Sequence, residues 1–159
     1  MKISIQSSLV VLVALVLWGC ATSARQSIAF DPKDFKEVAP GTASIHGHAF
    51  VRTQNGRNHS AAGLNVYLVP LVPYTEERAK LMEAGKDPES SDPRLARYVK
   101  TVIADVDGAY EFKDLPAGNY LLYSKVEWEN PNRVGKYYAV ARTEVREGET
   151  KNVVVTGSD

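Results

Sequence analysis

Three histidines are the residues of this 159-residue chain best suited to bind a metal ion. His46 and His48 stand two positions apart, so a β-strand places both imidazoles on one face. His59 follows in a polar loop and is a candidate third ligand. Zinc sites commonly use cysteine ligands, however, and this part of the chain contains no cysteine. The pattern favours two histidines on a solvated strand face, with a metal-dependent enzyme as the alternative.

Other catalytic arrangements have less support. Asp105-x-Asp107-Gly108 lacks the length and the glutamate of an EF-hand calcium loop, so it predicts a tight turn. No serine stands in the context of a nucleophile elbow. We therefore expect a non-catalytic protein without a cofactor.

Aromatic side chains near predicted loops and strand ends form a second group of candidates. Exposed tyrosine and tryptophan side chains commonly anchor protein or sugar partners. The residues with this placement are Tyr74, Tyr98, Trp128 and Tyr137. We expect them to contact a protein or a glycan. The alternative is that they cover an insertion in the fold.

The elements that position these residues are best defined in residues 101–122, TVIADVDGAYEFKDLPAGNYLL. Tyr110 and Phe112 alternate with charged neighbours, which is the period of a strand with one buried face. Two turn-like segments interrupt the stretch, and Gly108 and Gly118 are expected to take positive φ there. The stretch predicts three short strands joined by two tight turns.

This stretch resembles the signature of carboxypeptidase regulatory-like domains, which have a prealbumin-like (transthyretin-like) β-sandwich. The resemblance covers roughly residues 43–156 and leaves about 71–96 outside the pattern. It implies an all-β fold, a seven-stranded antiparallel sandwich, and a binding or structural module, since these domains are mostly non-catalytic. The matching positions are Asp107, Gly108, Tyr110, Phe112, Leu115, Pro116, Gly118, Tyr120 and Leu122.

Two enzyme families have a similar sandwich but a different pattern of functional residues. Intradiol dioxygenases bind ferric iron through two tyrosines and a His-x-His pair, and their tyrosines come first in the chain. Here His46 and His48 precede Tyr67, the first tyrosine. Hydroxyisourate hydrolases end in Tyr-Arg-Gly-Ser, which residues 156–159 do not match.

Residues 71–96 predict one short helical insertion between the second and third strands. Thr75 is a candidate N-cap, and Gly85 stands where the helix should end. Leu81 and Met82 are its main apolar residues, so the insertion serves either recognition or packing. The pattern also predicts loops at 53–63 and 127–132.

The N-terminus predicts export and lipidation. Lys2 precedes an apolar run at 9–18 that is shorter than the roughly 20 residues of a spanning helix, as in a signal peptide. Leu17-Trp18-Gly19-Cys20 resembles a bacterial lipobox, which implies that Cys20, the single cysteine, is lipidated. Ala21 favours outer-membrane sorting, with the protein facing the periplasm. The alternative is an ordinary secretory signal.

The chain therefore divides into a signal peptide at 1–19, a lipidated tether at 20–42 and one β-domain at 43–159. Phe30 and Phe35 are more apolar than a spacer needs, so we expect them to lie against the sandwich. Lysine plus arginine equals aspartate plus glutamate at 19 each, which gives no field favouring nucleic acid. The expected partners are the membrane, through Cys20, and an envelope protein or glycan.

Overall fold

A computed structural model describes residues 24–36, 40–130 and 133–158. The predicted signal peptide and Cys20 lie outside the described residues. Ten regular elements follow in chain order, together with two 3-10 turns at Pro32–Asp34 and Pro93–Tyr98. The elements are β1 Ala43–Arg52, β2 Asn58–Ser60, β3 Asn65–Pro70, α1 Pro73–Glu83, β4 Lys100–Ile103, β5 Ala109–Leu115, β6 Gly118–Asn130, β7 Arg133–Val145, β8 Thr150–Asn152 and β9 Val155–Ser158.

The strands form one curled, mixed sheet of nine in the order β2-β1-β9-β7-β6-β3-β4, and β5 and β8 also pair with β1. The predicted β fold with one short helix is therefore found, but the sheet has nine strands where seven were expected, and it is mixed, not purely antiparallel. The last two strands, β8 and β9, both run parallel to β1. The predicted loop at 53–63 contains β2. Alternation along a sequence identifies a strand but does not identify its partner, so these pairings were not predictable from it.

One apolar cluster, here called the inner core, fills the inside of the curled sheet. Tyr110 and Phe112 point into it while Glu111 and Lys113 are exposed, which confirms the predicted alternation. The Tyr110 hydroxyl donates to the Val153 carbonyl at 2.6 Å, so this ring also satisfies its polar atom. The main residues of the inner core are Ile45, Val51, Val66, Leu68, Tyr110, Phe112, Leu115, Tyr120, Leu122, Val126, Val145 and Val155.

A second apolar cluster, the outer core, covers the opposite face of the sheet. Phe30 and Phe35 stack with their centroids 4.9 Å apart, and Phe30 meets the ring of Tyr74 edge-on at 5.4 Å. The prediction that both phenylalanines lie against the sheet is confirmed. The outer core consists of Phe30, Phe35, Val69, Tyr74, Ala79, Met82, Leu95, Leu121 and Val140.

Helix α1 has the predicted place in the chain but a different start. Its N-cap is Val72, and Thr75 lies in the third helical position, where its hydroxyl accepts from the Val72 amide at 3.0 Å. The same hydroxyl donates to the Pro70 carbonyl at 2.8 Å, so Thr75 is buried against the end of β3. Gly85 follows the helix at φ +68, and its amide donates to the Met82 carbonyl. The predicted end is confirmed.

The two predicted turns differ in outcome. Gly108 has φ +81, as expected, and the carboxylate of Asp105 accepts from the amides of Asp107 and Ala109. These bonds lower the pKa of Asp105. At the other turn Asp114 takes the positive φ, at 54°, and the expectation for Gly118 is wrong. The pairing of β1 with β5 shifts register between Ala43 and Ile45, which leaves a β-bulge near the end of β5. The chain therefore bends at this bulge, before β6 begins at residue 118.

The predicted loop at 127–132 is largely strand, because β6 and β7 continue their antiparallel pairing as far as Asn130 and Arg133. Among residues 24–36, 40–130 and 133–158, no helix is long and apolar enough to cross a membrane.

Candidate functional site

A cleft of about 280 Å³, here called the end cleft, opens at one end of the sheet. It lies where the turn between β5 and β6 meets the start of the insertion and the N-terminal segment. Its floor is apolar, and its rim carries charged and amide side chains. The lining residues are Asp34, Lys36, Leu68, Pro70, Leu71, Val72, Tyr98, Lys100, Leu115, Pro116, Ala117, Gly118, Asn119 and Tyr120.

Lys100 on β4 lines the end cleft and contacts the bulge at the end of β5. Its ammonium donates to the carbonyls of Lys113 and Asp114 at 3.4 and 3.2 Å. An ammonium has three donors, so Lys100 keeps capacity for a ligand oxygen. The amide of Leu71 donates to the Asn119 carbonyl at 2.9 Å, which fixes the insertion beside the turn.

Tyr98 is the half-buried aromatic ring at the edge of the end cleft. One side of it stacks on Phe35, with centroids 4.5 Å apart, so the ring is held in place by the outer core. It ends the 3-10 turn Pro93–Tyr98, whose N-cap is Asp92. The carboxylate of Asp92 accepts from the Arg94 amide and guanidinium. The Arg94 bonds lower the pKa of Asp92 to about 2. An aromatic side chain fixed in this way can present a surface without a large loss of conformational entropy.

Tyr120 lies in the floor and has a structural role. Its hydroxyl donates to the Pro116 carbonyl at 2.7 Å, which closes the turn, and burial raises its pKa. The polar contribution to the site therefore comes from the rim.

The other three predicted binding residues lie elsewhere. Tyr74 is only 4% exposed, and its hydroxyl accepts from the Asp92 amide at 2.9 Å, so the exposure expected for it is not found. Tyr137 donates to the Glu83 carbonyl at 2.7 Å. Trp128 belongs to β6 and stacks on His59 at 4.5 Å, with its indole over Gly135. The structure does not bring these four residues together.

The three histidines do not lie on one side of the sheet. His46 and His48 share the outward side of β1, as the alternation predicts. His59 is the cross-strand partner of Val51, whose side chain belongs to the inner core, so His59 points to the side of the sheet opposite His46 and His48. Its ring lies against Trp128. Within the described part of the chain, no three His, Cys, Asp or Glu side chains are grouped as metal ligands. His59 is therefore not a third ligand for the pair.

A second, open groove of about 340 Å³ lies between the 3-10 turn Pro93–Tyr98 and the outer face of the sheet. Tyr67 and Tyr123 stack there with centroids 4.9 Å apart. The sequence does not indicate this pair, because Tyr67 on β3 and Tyr123 on β6 are 56 positions apart and become neighbours only through the register of the two strands. The alternation within each strand was the only signal available.

No family model matches the chain, and no curated protein matches it. Solved structures do. A Pseudomonas aeruginosa protein provisionally assigned as carbohydrate-binding aligns at a TM-score of 0.67 and 21% identity, over 80% of this chain and 97% of that one. This likeness shows a shared β-sandwich-like fold.

Two further structures align less closely. The major pilin subunit of Bacillus cereus aligns at a TM-score of 0.39 and 12% identity, over 73% of this chain and 30% of that one. (S)-Allantoin synthase aligns at 0.37 and 14%, over 75% and 42%. Both scores are too low to establish a shared fold.

Proposed function

We propose that this chain is a lipid-anchored, non-catalytic module of the bacterial cell envelope that binds a glycan in the end cleft. The observation that carries the proposal is the composition of that cleft, which combines an apolar floor, one fixed aromatic ring and a charged rim. Small-molecule sites are concave and mostly apolar with a few polar groups, and their volumes begin at about 300 Å³. The end cleft is near that lower limit, which suits one sugar ring or the end of a chain.

A sugar matches this arrangement on both of its surfaces. Its C–H face can pack on the ring of Tyr98, and its hydroxyl groups can bond with Lys100 and Asn119 at the rim. Asp34 adds an acceptor and Lys36 another donor. The provisional assignment of the Pseudomonas protein favours a glycan over a protein as the first ligand class to test.

The fold proposal is a carboxypeptidase regulatory-like, prealbumin-like domain. The residues of the resemblance are those that build the inner core and its turns, as Tyr110, Phe112 and Leu122 illustrate. Domains of this kind are mostly non-catalytic, and this supports the proposal of a binding module without a cofactor. The proposed location is the outer membrane, with the domain in the periplasm and anchored through Cys20.

Replacing Cys20 with serine tests the anchor. We expect Cys20→Ser to leave a signal-bearing or a soluble form without lipid, because the acyl chains that hold the mature protein, at about 0.8 kcal/mol per buried CH₂, cannot be attached. Membrane fractionation and mass spectrometry of the N-terminus provide the readouts. Ala21→Asp is the matched control and should move the lipidated protein to the inner membrane. Normal cleavage and membrane association of Cys20→Ser would contradict the proposal.

Replacing Tyr98 tests the cleft. Soluble peptidoglycan fragments and deacylated lipopolysaccharide oligosaccharides form the ligand panel. For a glycan bound by the native chain, we expect Tyr98→Ala to weaken affinity roughly tenfold, since one aromatic contact contributes about 1–1.5 kcal/mol. Tyr67→Ala, in the open groove, should leave affinity unchanged. If no panel member binds, or if Tyr67→Ala has the larger effect, the end cleft is not a glycan site.

A further inference from the structure

The N-terminal segment 24–36, expected to be a tether, is bound along the outer core. At its first described residue, the Ala24 amide donates to the Asp87 carbonyl at 2.9 Å, and the Ala24 carbonyl accepts from the Glu89 amide at 3.1 Å. These two bonds form a parallel bridge between the segment and the loop after α1. The chain is therefore fixed four residues after Cys20.

Helix α1 holds the next residues of the segment. The carboxylate of Glu77 accepts from the amides of Ser27 and Ile28 at 2.9 and 2.8 Å, and also from the Ser27 hydroxyl. Those bonds lower the pKa of Glu77. Gln26 donates to the Tyr74 carbonyl at 3.1 Å and accepts from Arg78 at 2.6 Å. A free spacer would make no such set of contacts.

The rest of the segment follows the length of the sheet. Phe30 and Phe35 are buried in the outer core, with Arg94 over the ring of Phe30 at 4.8 Å. Asp34 and Lys36 then reach the rim of the end cleft. The segment, here called the strap, thus connects the two ends of the domain.

Ala24 and the end cleft lie at opposite ends of the sheet. Asp87, which binds Ala24 through its carbonyl, binds Lys136 and the hydroxyl of Tyr138 through its carboxylate. Lys136 pairs with Glu127 on β6, whereas the cleft is lined by residue 119 on the same strand. Eight residues of strand separate these two levels, a length of roughly 25 Å.

We propose that the strap mounts the domain on the bilayer in a fixed orientation, with the Asp87 end next to the lipid surface and the end cleft directed away from it. The inference rests on the proposed lipidation of Cys20. Between Cys20 and Ala24 the chain spans at most about 14 Å, so the Asp87 end stays close to the headgroups. A ligand in the periplasm then reaches the cleft without obstruction from the membrane.

The strap, and not the attraction of headgroups, sets this orientation. Charges at the Asp87 end have both signs, and several are paired, as in Lys136 with Asp87 and Lys125 with Glu127. A surface of this kind has little net attraction for anionic lipid. The orientation should therefore be the same in neutral vesicles and at high salt.

Fluorescence quenching in vesicles tests the orientation. Lys86→Cys and Ala117→Cys, each made in the full-length lipidated protein, provide labelling sites on exposed residues at the two ends. With Cys20 acylated, the introduced thiol takes the fluorophore. In phosphatidylcholine vesicles that contain a headgroup-quencher lipid, we expect the probe at 86 to be quenched at least threefold more than the probe at 117. Raising the salt to 1 M should not change that ratio.

Lengthening the chain before the strap provides the decisive variant. A 20-residue Gly/Ser linker inserted between Ser23 and Ala24 should bring the quenching ratio close to one. Equal quenching of the two probes without the linker would overturn the fixed orientation while leaving the anchor intact. A ratio that the linker does not change would show attraction by the surface instead and would overturn the role of the strap. If the proteins do not sediment with vesicles at all, the lipid anchor itself is wrong.

Discussion

The inner and outer cores share one sheet but are built from different kinds of sequence information. Leu121 and Leu122 are neighbours on β6, and they point to opposite faces, with exposures of 1% and 0%. Leu122 packs against residues from other strands, whereas Leu121 packs under α1 and the strap. The difference shows that segments which look like accessories in the sequence can complete the fold.

This comparison changes the interpretation of the insertion. From the sequence alone, the role of residues 71–96 was either recognition of a partner or packing against the sheet. The structure favours packing, because Thr75, Ala79 and Met82 are buried. Arg142 on β7 also joins the helix to the sheet through bidentate contacts with Glu76 and Glu83, at 2.6 to 3.2 Å. The proposed recognition site is the end cleft, to which the insertion contributes only its first residues, Leu71 and Val72.

The largest effect is expected from removing the insertion. Replacing residues 75–92 with a short Gly/Ser turn should lower the free energy of unfolding by more than about 4 kcal/mol, because a buried methionine alone contributes about 2–5 kcal/mol. Chemical denaturation followed by circular dichroism measures this. Lys80→Ala, an exposed change on the same helix, should stay within about 0.5 kcal/mol of the native chain. A variant that unfolds like the native chain would make the outer core dispensable.

A smaller effect is expected from acid. Folding lowers the pKa of Glu77 and of Asp87, so both carboxylates stabilise the fold at pH above their ordinary pKa values. This stabilisation is lost as the pH falls below the ordinary values and through the lowered pKa values of the folded state. The contribution should be below about 1 kcal/mol, since solvent screens both groups. Hydrogen exchange at the amides of residues 27 and 28 should speed up between pH 5 and 3 after correction for intrinsic rates. Glu77→Gln should reduce that acceleration, and an unchanged pH dependence would contradict it.

The sequence predicted the inner core well because its signals are local. Tyr110 and Phe112 alternate with exposed charges, and Gly108 takes the turn conformation expected of it. The helix end at Gly85 was also correct. Each of these features depends on residues within one turn or one strand, where residue propensity and hydrophobic periodicity are enough to predict the local structure.

The pairings and the site could not be predicted in the same way. The parallel partners of β1 depend on contacts between the two ends of the chain. The end cleft combines four distant segments, at 34–36, 68–72, 98–100 and 115–120. The burial of Tyr74 depends on Phe30 and on the Asp92 amide. Contacts of this length leave no periodic pattern, and tyrosine is found both in cores and on surfaces.

Comparing Leu121→Ala with Leu122→Ala tests most directly whether two packed cores share this sheet. Both substitutions remove the same atoms from adjacent positions on one strand. The change in strand propensity is therefore the same in the two variants and cancels when their unfolding free energies are compared. We expect each to lower the free energy of unfolding by about 2–5 kcal/mol, with the two values within about 1.5 kcal/mol of each other. Urea denaturation of the two variants beside the native chain gives the numbers. A loss below about 1 kcal/mol for Leu121→Ala, beside a full loss for Leu122→Ala, would mean that α1 and the strap only rest on the sheet, contrary to this account.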